Sequence, residues 1–269
     1  LMNQWIERIN EFLENPRIGK IQQKTFDIEN KDIVICMLQS LALKDFSLDS
    51  FDSFGTVIID EAHRIPSKVF SKALNKINAE YMIGLTATPN RKDGLTKVLK
   101  WYIGDIIFSA KNKNLDEVLV DRYILDLHRI DNDYNKEYTI GFNNSPKMPT
   151  MINNISTFYK RNNFIIKLIN DLSKTDRQIL ILSDRRDQLD FIYNKINDNE
   201  ICSVGYYVGG MNQKKLKESE NKQLILGTYP MANEGLDIPT LNTLILATPK
   251  SDIVQSIGRI MRKKHEIYQ

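Results

Sequence analysis

Apolar positions along the chain alternate between two periods. Leu1, Trp5, Ile9 and Phe12, with Ile6 and Leu13 beside them, recur at helical spacing and predict an amphipathic helix over residues 1–13. Short, mainly apolar runs at 32–37, 57–60 and 82–85 read as strands, with 38–41 as a strand-to-helix junction. Between the last two strands, Val69, Phe70, Ala73, Leu74 and Ile77 keep helical spacing behind Ser67, a suitable N-cap. From 106 to 149 the pattern degrades into polar, turn-forming sequence, although 118–127 holds enough apolar residues for a strand or two. Alternation resumes with a helix over 155–172, a strand at 178–183, and a helix marked by Leu189, Ile192, Tyr193 and Ile196. Strands at 204–208, 223–227 and 243–247 complete the series. Strands alternating with helices predict parallel sheets covered on both faces. Two such blocks, 1–108 and 151–269, joined by a linker over 109–150, predict an α/β protein of two domains with a cleft between them.

Composition narrows this picture little. In 269 residues, 37 basic and 34 acidic side chains leave a net charge of +3, so any basic track for nucleic acid must be local. Cys36 and Cys202 lie far apart in apolar runs and read as reduced, buried thiols, which places the protein inside the cell. No apolar run approaches the ~20 residues of a membrane span.

Chemistry concentrates at the predicted strand ends. Val57, Ile58 and Ile59 read as a strand buried on both faces that delivers Asp60 and Glu61 to the carboxyl edge of a sheet, where open α/β sheets bind ligands. In nucleotide hydrolysis the first carboxylate would hold Mg²⁺ through its water shell and the second would orient or deprotonate the attacking water. A strand ending in solvated acids has the same pattern. Thr86 and Thr88 follow the next strand and reach the same edge, as they would in any threonine-rich strand end. Further on, Gly227 and Thr228 end a strand, and Glu234, Gly235, Leu236 and Asp237 form an acidic turn closed by Pro239. A helix capped by Ser251 would carry Gln255, Arg259 and Arg262 within a sector of roughly 60°. Ile253, Val254, Ile257, Ile260 and Met261 occupy its packed side, and Gly258 keeps the polar face narrow. Guanidiniums held this way suit the oxygens of a phosphoryl group in transfer, and a solvated charged face reads identically.

Taken in order, these segments resemble those of superfamily-2 helicases and translocases. The resemblance is closest to the branch with a DEAH-type acidic motif, which includes the excision-repair and transcription-factor helicase, the phage recombination helicases and the poxvirus transcript-release helicase. Residues 1–5 resemble the end of motif Ia and 38–41 the nucleic-acid-contacting motif after it. Residues 60–63 match motif II, 86–89 motif III, 180–185 motif IV, 227–237 motif V and 255–262 motif VI.

The resemblance implies two RecA-like parallel-sheet domains, the first incomplete at its N-terminus, and an ATP-dependent helicase or translocase. ATP and Mg²⁺ are the implied cofactors, with Asp60 at the metal. Glu61, His63, Gly235, Asp237, Arg259 and Arg262 are implied at the nucleotide, Gln255 beside them in catalysis, and Thr86 and Thr88 in coupling. Gln39, Ser40, Arg91, Arg185 and Thr228 are implied on the nucleic-acid backbone, DNA in preference to RNA. Tyr206 and Tyr207 offer rings for a base, and strand alternation turns one of them into the core. His128 and His265 read as bystanders. Two alternatives stay open: a motor subunit that acts with partner proteins in a restriction or transcription-release complex, and a nucleic-acid-binding relic that does not hydrolyse ATP. No Gly-x-x-x-x-Gly-Lys-[Ser/Thr] loop occurs, and Gly19-Lys20-Ile21 does not replace it. The family carries that loop upstream of motif Ia, so truncation is expected, and the chain alone should bind ATP poorly and hydrolyse it negligibly.

Overall fold

A computed structural model describes residues 2–47, 49–65, 71–88, 94–110, 118–130, 138–141 and 144–261, without the side chains of 127, 128 and 234. The chain divides into two compact units, Leu1–Asn112 and Lys113–Gln269. Most of the stretch expected as a linker thus clusters with the second unit.

The first unit contains α1 (Met2–Phe12), β1 (Ile18–Gln22), β2 (Thr25–Asp27), β3 (Ile33–Cys36), α2 (Leu38–Leu43), β4 (Thr56–Ile59), α3 (Ser71–Leu74), β5 (Tyr81–Gly84) and α4 (Thr96–Ile103). Its strands form two sheets: β2-β1-β3, with an antiparallel β1–β2 hairpin and a parallel β1–β3 pair, and the parallel pair β4–β5. The hairpin escaped the sequence reading because its residues are mostly polar. Ile21 alone of β1 and β2 is fully buried among large side chains, and it packs with Leu41, Ala42, Phe51 and Ala73.

The expectation that residues 57–59 are buried on both faces is corrected. Val57 and Ile59 pack with Ala62, Ile65, Leu74 and Leu99, whereas Ile58 is 56% exposed and Ile83 is 39% exposed. The reason is one-sided cover: α3 and α4 supply Leu74 and Leu99 to the inner face, and no described element buries the outer one. Gly84 lets α4 approach, since an added Cβ would stand 2.8 Å from Ile103 Cδ1 and 3.1 Å from Ala62 Cβ. Ser67, expected as a helix cap, lies outside the described residues, and within the stretch expected as helical, α3 is Ser71–Leu74.

In the second unit, residues 118–126 form no strand. They are followed by α5 (Leu127–Ile130), α6 (Met148–Thr157), α7 (Tyr159–Leu172), β6 (Ile179–Leu182), α8 (Arg186–Asp198), β7 (Val204–Tyr207), α9 (Gln213–Glu220), β8 (Leu224–Gly227), α10 (Tyr229–Gly235), β9 (Thr243–Leu246) and α11 (Val254–Ile257). The sheet order is β7-β8-β6-β9 and every pair is parallel. Central β6 and β8 are apolar at nearly every position and buried at all of them, as a doubly covered parallel strand requires. Ile179, Ile181, Leu224 and Leu226 meet Ile165, Ile169, Leu189, Ile192 and Ile196 of α7 and α8. Leu180, Leu182 and Ile225 meet Leu216, Tyr229 and Ala232 on the other face. Full burial of each such side chain contributes roughly 1.5–3 kcal/mol.

The single helix expected over 155–172 is two, α6 and α7, separated by Phe158 with an extended ψ of 105°. A chain of buried bonds explains the break. Asn162 Nδ2 donates to Ser156 O at 2.7 Å, Gln188 Nε2 to Asn162 Oδ1 at 2.8 Å, and Ser183 Oγ to Gln188 Oε1 at 2.8 Å. The bend between the helices is thereby fastened to the end of β6. Near the C-terminus, α11 is shorter than the helix expected from Ser251: its N-cap is Ile253, and Val254, expected to be packed, is 64% exposed. Among the described residues, no helix is long and apolar enough to cross a membrane.

Candidate active site

At the end of β4 the backbone turns sharply. Glu61 adopts φ 50°, ψ 44° and caps a short 3-10 turn, Ala62–Arg64. A left-handed backbone costs a non-glycine residue roughly 1–2 kcal/mol, and such positions concentrate where function fixes geometry. Two backbone bonds extend the β4–β5 ladder past the strands: Leu85 N donates to Ile59 O at 2.8 Å and Ala62 N to Leu85 O at 2.9 Å. The acidic turn and the Thr86 turn are therefore held side by side.

Asp60 is exposed, and both of its carboxylate oxygens are engaged. Oδ1 accepts from Glu61 N at 2.9 Å, and Oδ2 accepts from Trp5 Nε1 at 3.3 Å. Glu61 is half-buried, and its Oε2 is buried without a hydrogen-bond partner among the described residues. His63 Nδ1 approaches that oxygen at 3.2 Å, yet it also lies 3.0 Å from Thr86 Oγ1. Thr86 Oγ1 accepts from Thr88 N at 3.1 Å. The imidazole therefore stands between the acidic turn and the Thr86 turn, within reach of a polar atom of each.

The residues fit Mg²⁺ more than a metal caged by protein alone. Among the described residues no group of three or more His, Cys, Asp or Glu could hold an ion. Mg²⁺ is ordinarily bound through one or two carboxylates, several waters and phosphate oxygens, and an exposed, oriented Asp60 meets that demand.

In the second unit, Thr228 caps α10 with an extended backbone, and Gly235 at the far end of α10 accepts from Tyr207 OH at 3.0 Å. Arg259 Nη1 donates to Leu236 O at 2.9 Å, and Nη2 donates to Asn233 O. Ser256 Oγ pairs with Asn233 Oδ1 at 3.0 Å. The guanidinium thus caps the C-terminal carbonyls of α10, next to Gly235 and Asp237, while Gln255 sits half-buried on α11. Arg185 has three donors on protein oxygens: Nη1 on Asp184 O at 3.1 Å, Nη2 on Pro149 O at 3.1 Å, and Nε on Asn153 Oδ1. It docks α6 against the end of β6. Tyr206 stacks on Tyr193 with centroids 4.6 Å apart and donates to Asp190 at 2.9 Å, and Tyr207 is buried. Neither ring is presented to a base. Burial, with the Tyr207 environment it creates, pushes that phenol up to about 12.

On α2, Gln39 is exposed and Ser40 Oγ accepts from Gln23 N at 3.2 Å, so this pair sits beside the β1–β2 turn. Arg91 and Arg262 lie outside the described residues, as does His265, and nothing is described of the His128 side chain. Three residues were missed in the sequence: Trp5, Asn233, and Lys250, which pairs with Asp184 at 3.3 Å and lies over the Tyr229 ring at 5.0 Å.

Residues 1–91 match the family described as "Type III restriction enzyme, res subunit", and residues 160–264 match "Helicase conserved C-terminal domain". Over its whole length the chain is 39% identical to L396 of Acanthamoeba polyphaga mimivirus, a protein named "Putative ATP-dependent RNA helicase". The chain belongs to the superfamily-2 helicases. It spans 51% of L396, and 62% of the "Putative helicase 161L" of Invertebrate iridescent virus 6, to which it is 27% identical over 98% of its own length. Among solved structures, S. cerevisiae Dbp5 bound to RNA and ADP BeF3 aligns with a TM-score of 0.55 at 12% identity, covering 97% of this chain and 63% of that one. That likeness concerns the fold, the RecA-like α/β arrangement expected from the sequence. In this chain the first matched segment carries the acidic turn and the threonine turn, and the second carries α10 and α11.

Proposed function

We propose that this chain forms part of the core of an ATP-dependent nucleic-acid helicase with a DEAH-type acidic motif, Asp60-Glu61-Ala62-His63. The observation that carries the reading is the half-buried Glu61, held on a left-handed backbone beside the exposed Asp60 with its buried Oε2 3.2 Å from His63 Nδ1. Glu61 orients the attacking water and takes its proton. Asp60 binds the water shell of Mg²⁺, which supplies positive charge to the phosphate oxygens when bound. His63 fixes the acidic turn to Thr86, and through Thr86 to Thr88, so that strand engagement and hydrolysis are coupled.

The second unit serves the same cycle. Arg262 is assigned to the transferred phosphoryl group, and Gln255 supports it from α11. Arg259, whose donors hold the carbonyls of 233 and 236, is assigned to fixing the turn that carries Gly235 and Asp237 toward the nucleotide. Gln39, Ser40, Arg91 and Thr228 contact the sugar-phosphate backbone, so binding depends on salt more than on sequence.

The sequence favoured DNA, whereas L396 is named an RNA helicase, so RNA is the first substrate to test. The experiment is ATP hydrolysis by the intact protein on single-stranded, duplex and branched RNA and DNA. Stimulation by one of them supports the reading and assigns the strand. Absence of hydrolysis on all of them, with the protein folded and nucleic acid bound, contradicts it.

A further inference from the structure

We infer that Trp5 is a positioning residue for Asp60. This rests on the reading of Asp60 as the carboxylate at the metal. The sequence places Trp5 one turn into α1, fifty-five positions before Asp60, and the fold brings its half-buried indole to the acidic edge of β4. An exposed carboxylate rotates freely about its terminal torsion, because that torsion is broad. Here one oxygen is fixed by Glu61 N at 2.9 Å and the other by Trp5 Nε1 at 3.3 Å. Two donors on two oxygens select one orientation of the plane.

The chemistry of the second donor matters. An indole N–H donates, carries no charge and does not titrate. It orients Asp60 without neutralising it, whereas a lysine or arginine in its place would compete with a cation for the same oxygens. A carboxylate offers about four lone-pair sites, so two protein donors leave two for the water shell of Mg²⁺. Partners that orient metal-side ligands in this way are typically worth 10- to 100-fold in metal affinity or activity. The exposed setting and the 3.3 Å length put Trp5 near the lower end.

The test uses the intact protein. Binding of Mn²⁺, read by electron paramagnetic resonance with a non-hydrolysable ATP analogue present, is compared in the parent, Trp5→Phe and Trp5→His. Trp5→Phe keeps a ring without the donor and is expected to weaken Mn²⁺ binding about 10-fold. Saturating metal should restore its turnover. Trp5→His retains a ring N–H and is expected to recover most of the affinity. Unchanged Mn²⁺ affinity in Trp5→Phe, or equal losses in both variants, overturns the inference. If Trp5→Phe does not fold, 5-fluorotryptophan spectra of the parent and Asp60→Asn proteins decide. One tryptophan resonance should move between them and broaden with Mn²⁺, and no such resonance overturns the assignment. A Glu61→Gln protein is run alongside. Normal hydrolysis there removes the reading of this edge as the ATPase site, whereas loss of hydrolysis with unaltered Trp5→Phe removes the positioning role alone.

Discussion

Thr86 Oγ1 lies 3.0 Å from His63 Nδ1, so a side-chain bond joins the turns after β4 and β5 in addition to the backbone bond from Ala62 N to Leu85 O. The pair is partly buried, which favours a geometry that survives solvent competition. Thr86→Val keeps the shape and removes the hydroxyl. It is expected to lower nucleic-acid-stimulated ATP turnover about 10-fold, the equivalent of ~1.4 kcal/mol, and Thr86→Ser should recover it. Steady-state assays with and without nucleic acid check this; equal turnover in parent and Thr86→Val would remove Thr86 from coupling.

Arg185 was expected on the nucleic-acid backbone, and in the fold it donates to Pro149 and Asn153 of α6 and to Asp184 O. Arg185→Ala should therefore lower the unfolding free energy of the second unit by roughly 1.5–3 kcal/mol, since its bonds are charge-assisted. The salt dependence of nucleic-acid binding should stay unchanged. Urea denaturation and a salt titration separate the two roles. A salt slope reduced by about one, at unchanged stability, would return Arg185 to the phosphate backbone.

Arg259 caps α10 through two carbonyls. Arg259→Ala is expected to destabilise the second unit by roughly 1.5–3 kcal/mol, and Arg259→Lys to recover only part, because an ammonium lacks the planar fork. Thermal or urea unfolding of both variants measures it. Unchanged stability accompanied by a fall in turnover on the order of 10³-fold would make Arg259 a direct contact of the phosphoryl group.

Alkaline pH should weaken both units. Burial pushes the Cys36 thiol from 9.0 to about 11 and the Tyr229 phenol from 10.0 to about 12, as it does Tyr207. Each folded value lies above the unfolded one, so folding favours the protonated form. Their contribution is complete below the unfolded values and is lost as pH rises through the folded ones. Stability should decline between about pH 9 and 12. Thermal melts across that window on the parent and Cys36→Val proteins check it, the variant losing less in the first unit over its lower part.

How much was readable follows from how each element is stabilised. In the second unit, β6 and β8 announce themselves because both faces are buried and their sequences are apolar throughout. The β1–β2 hairpin did not, since its mostly polar strands are held by pairing, by Ile21 and by the Phe26 ring stacked on Phe46. Gln188 and Asn162 look like surface residues until the break at Phe158 puts them inside. At the site, Asp60, Glu61, His63, Thr86 and Thr88 were legible because adjacent parallel strands end together. Trp5 was not, because its bond to Asp60 spans fifty-five positions and depends on where α1 lies. Arg185 was expected at the nucleic-acid backbone and Arg259 at the nucleotide, and periodicity carries no information on the protein oxygens to which they donate in the fold.

The central claim is that Glu61 handles the attacking water. The direct measurement is steady-state ATP hydrolysis by intact Glu61→Gln protein, with nucleotide affinity determined on the same sample. Turnover should fall by at least 10²- to 10⁴-fold, the range a positioned general base supplies, while ATP still binds. Hydrolysis at the parent rate would contradict the account.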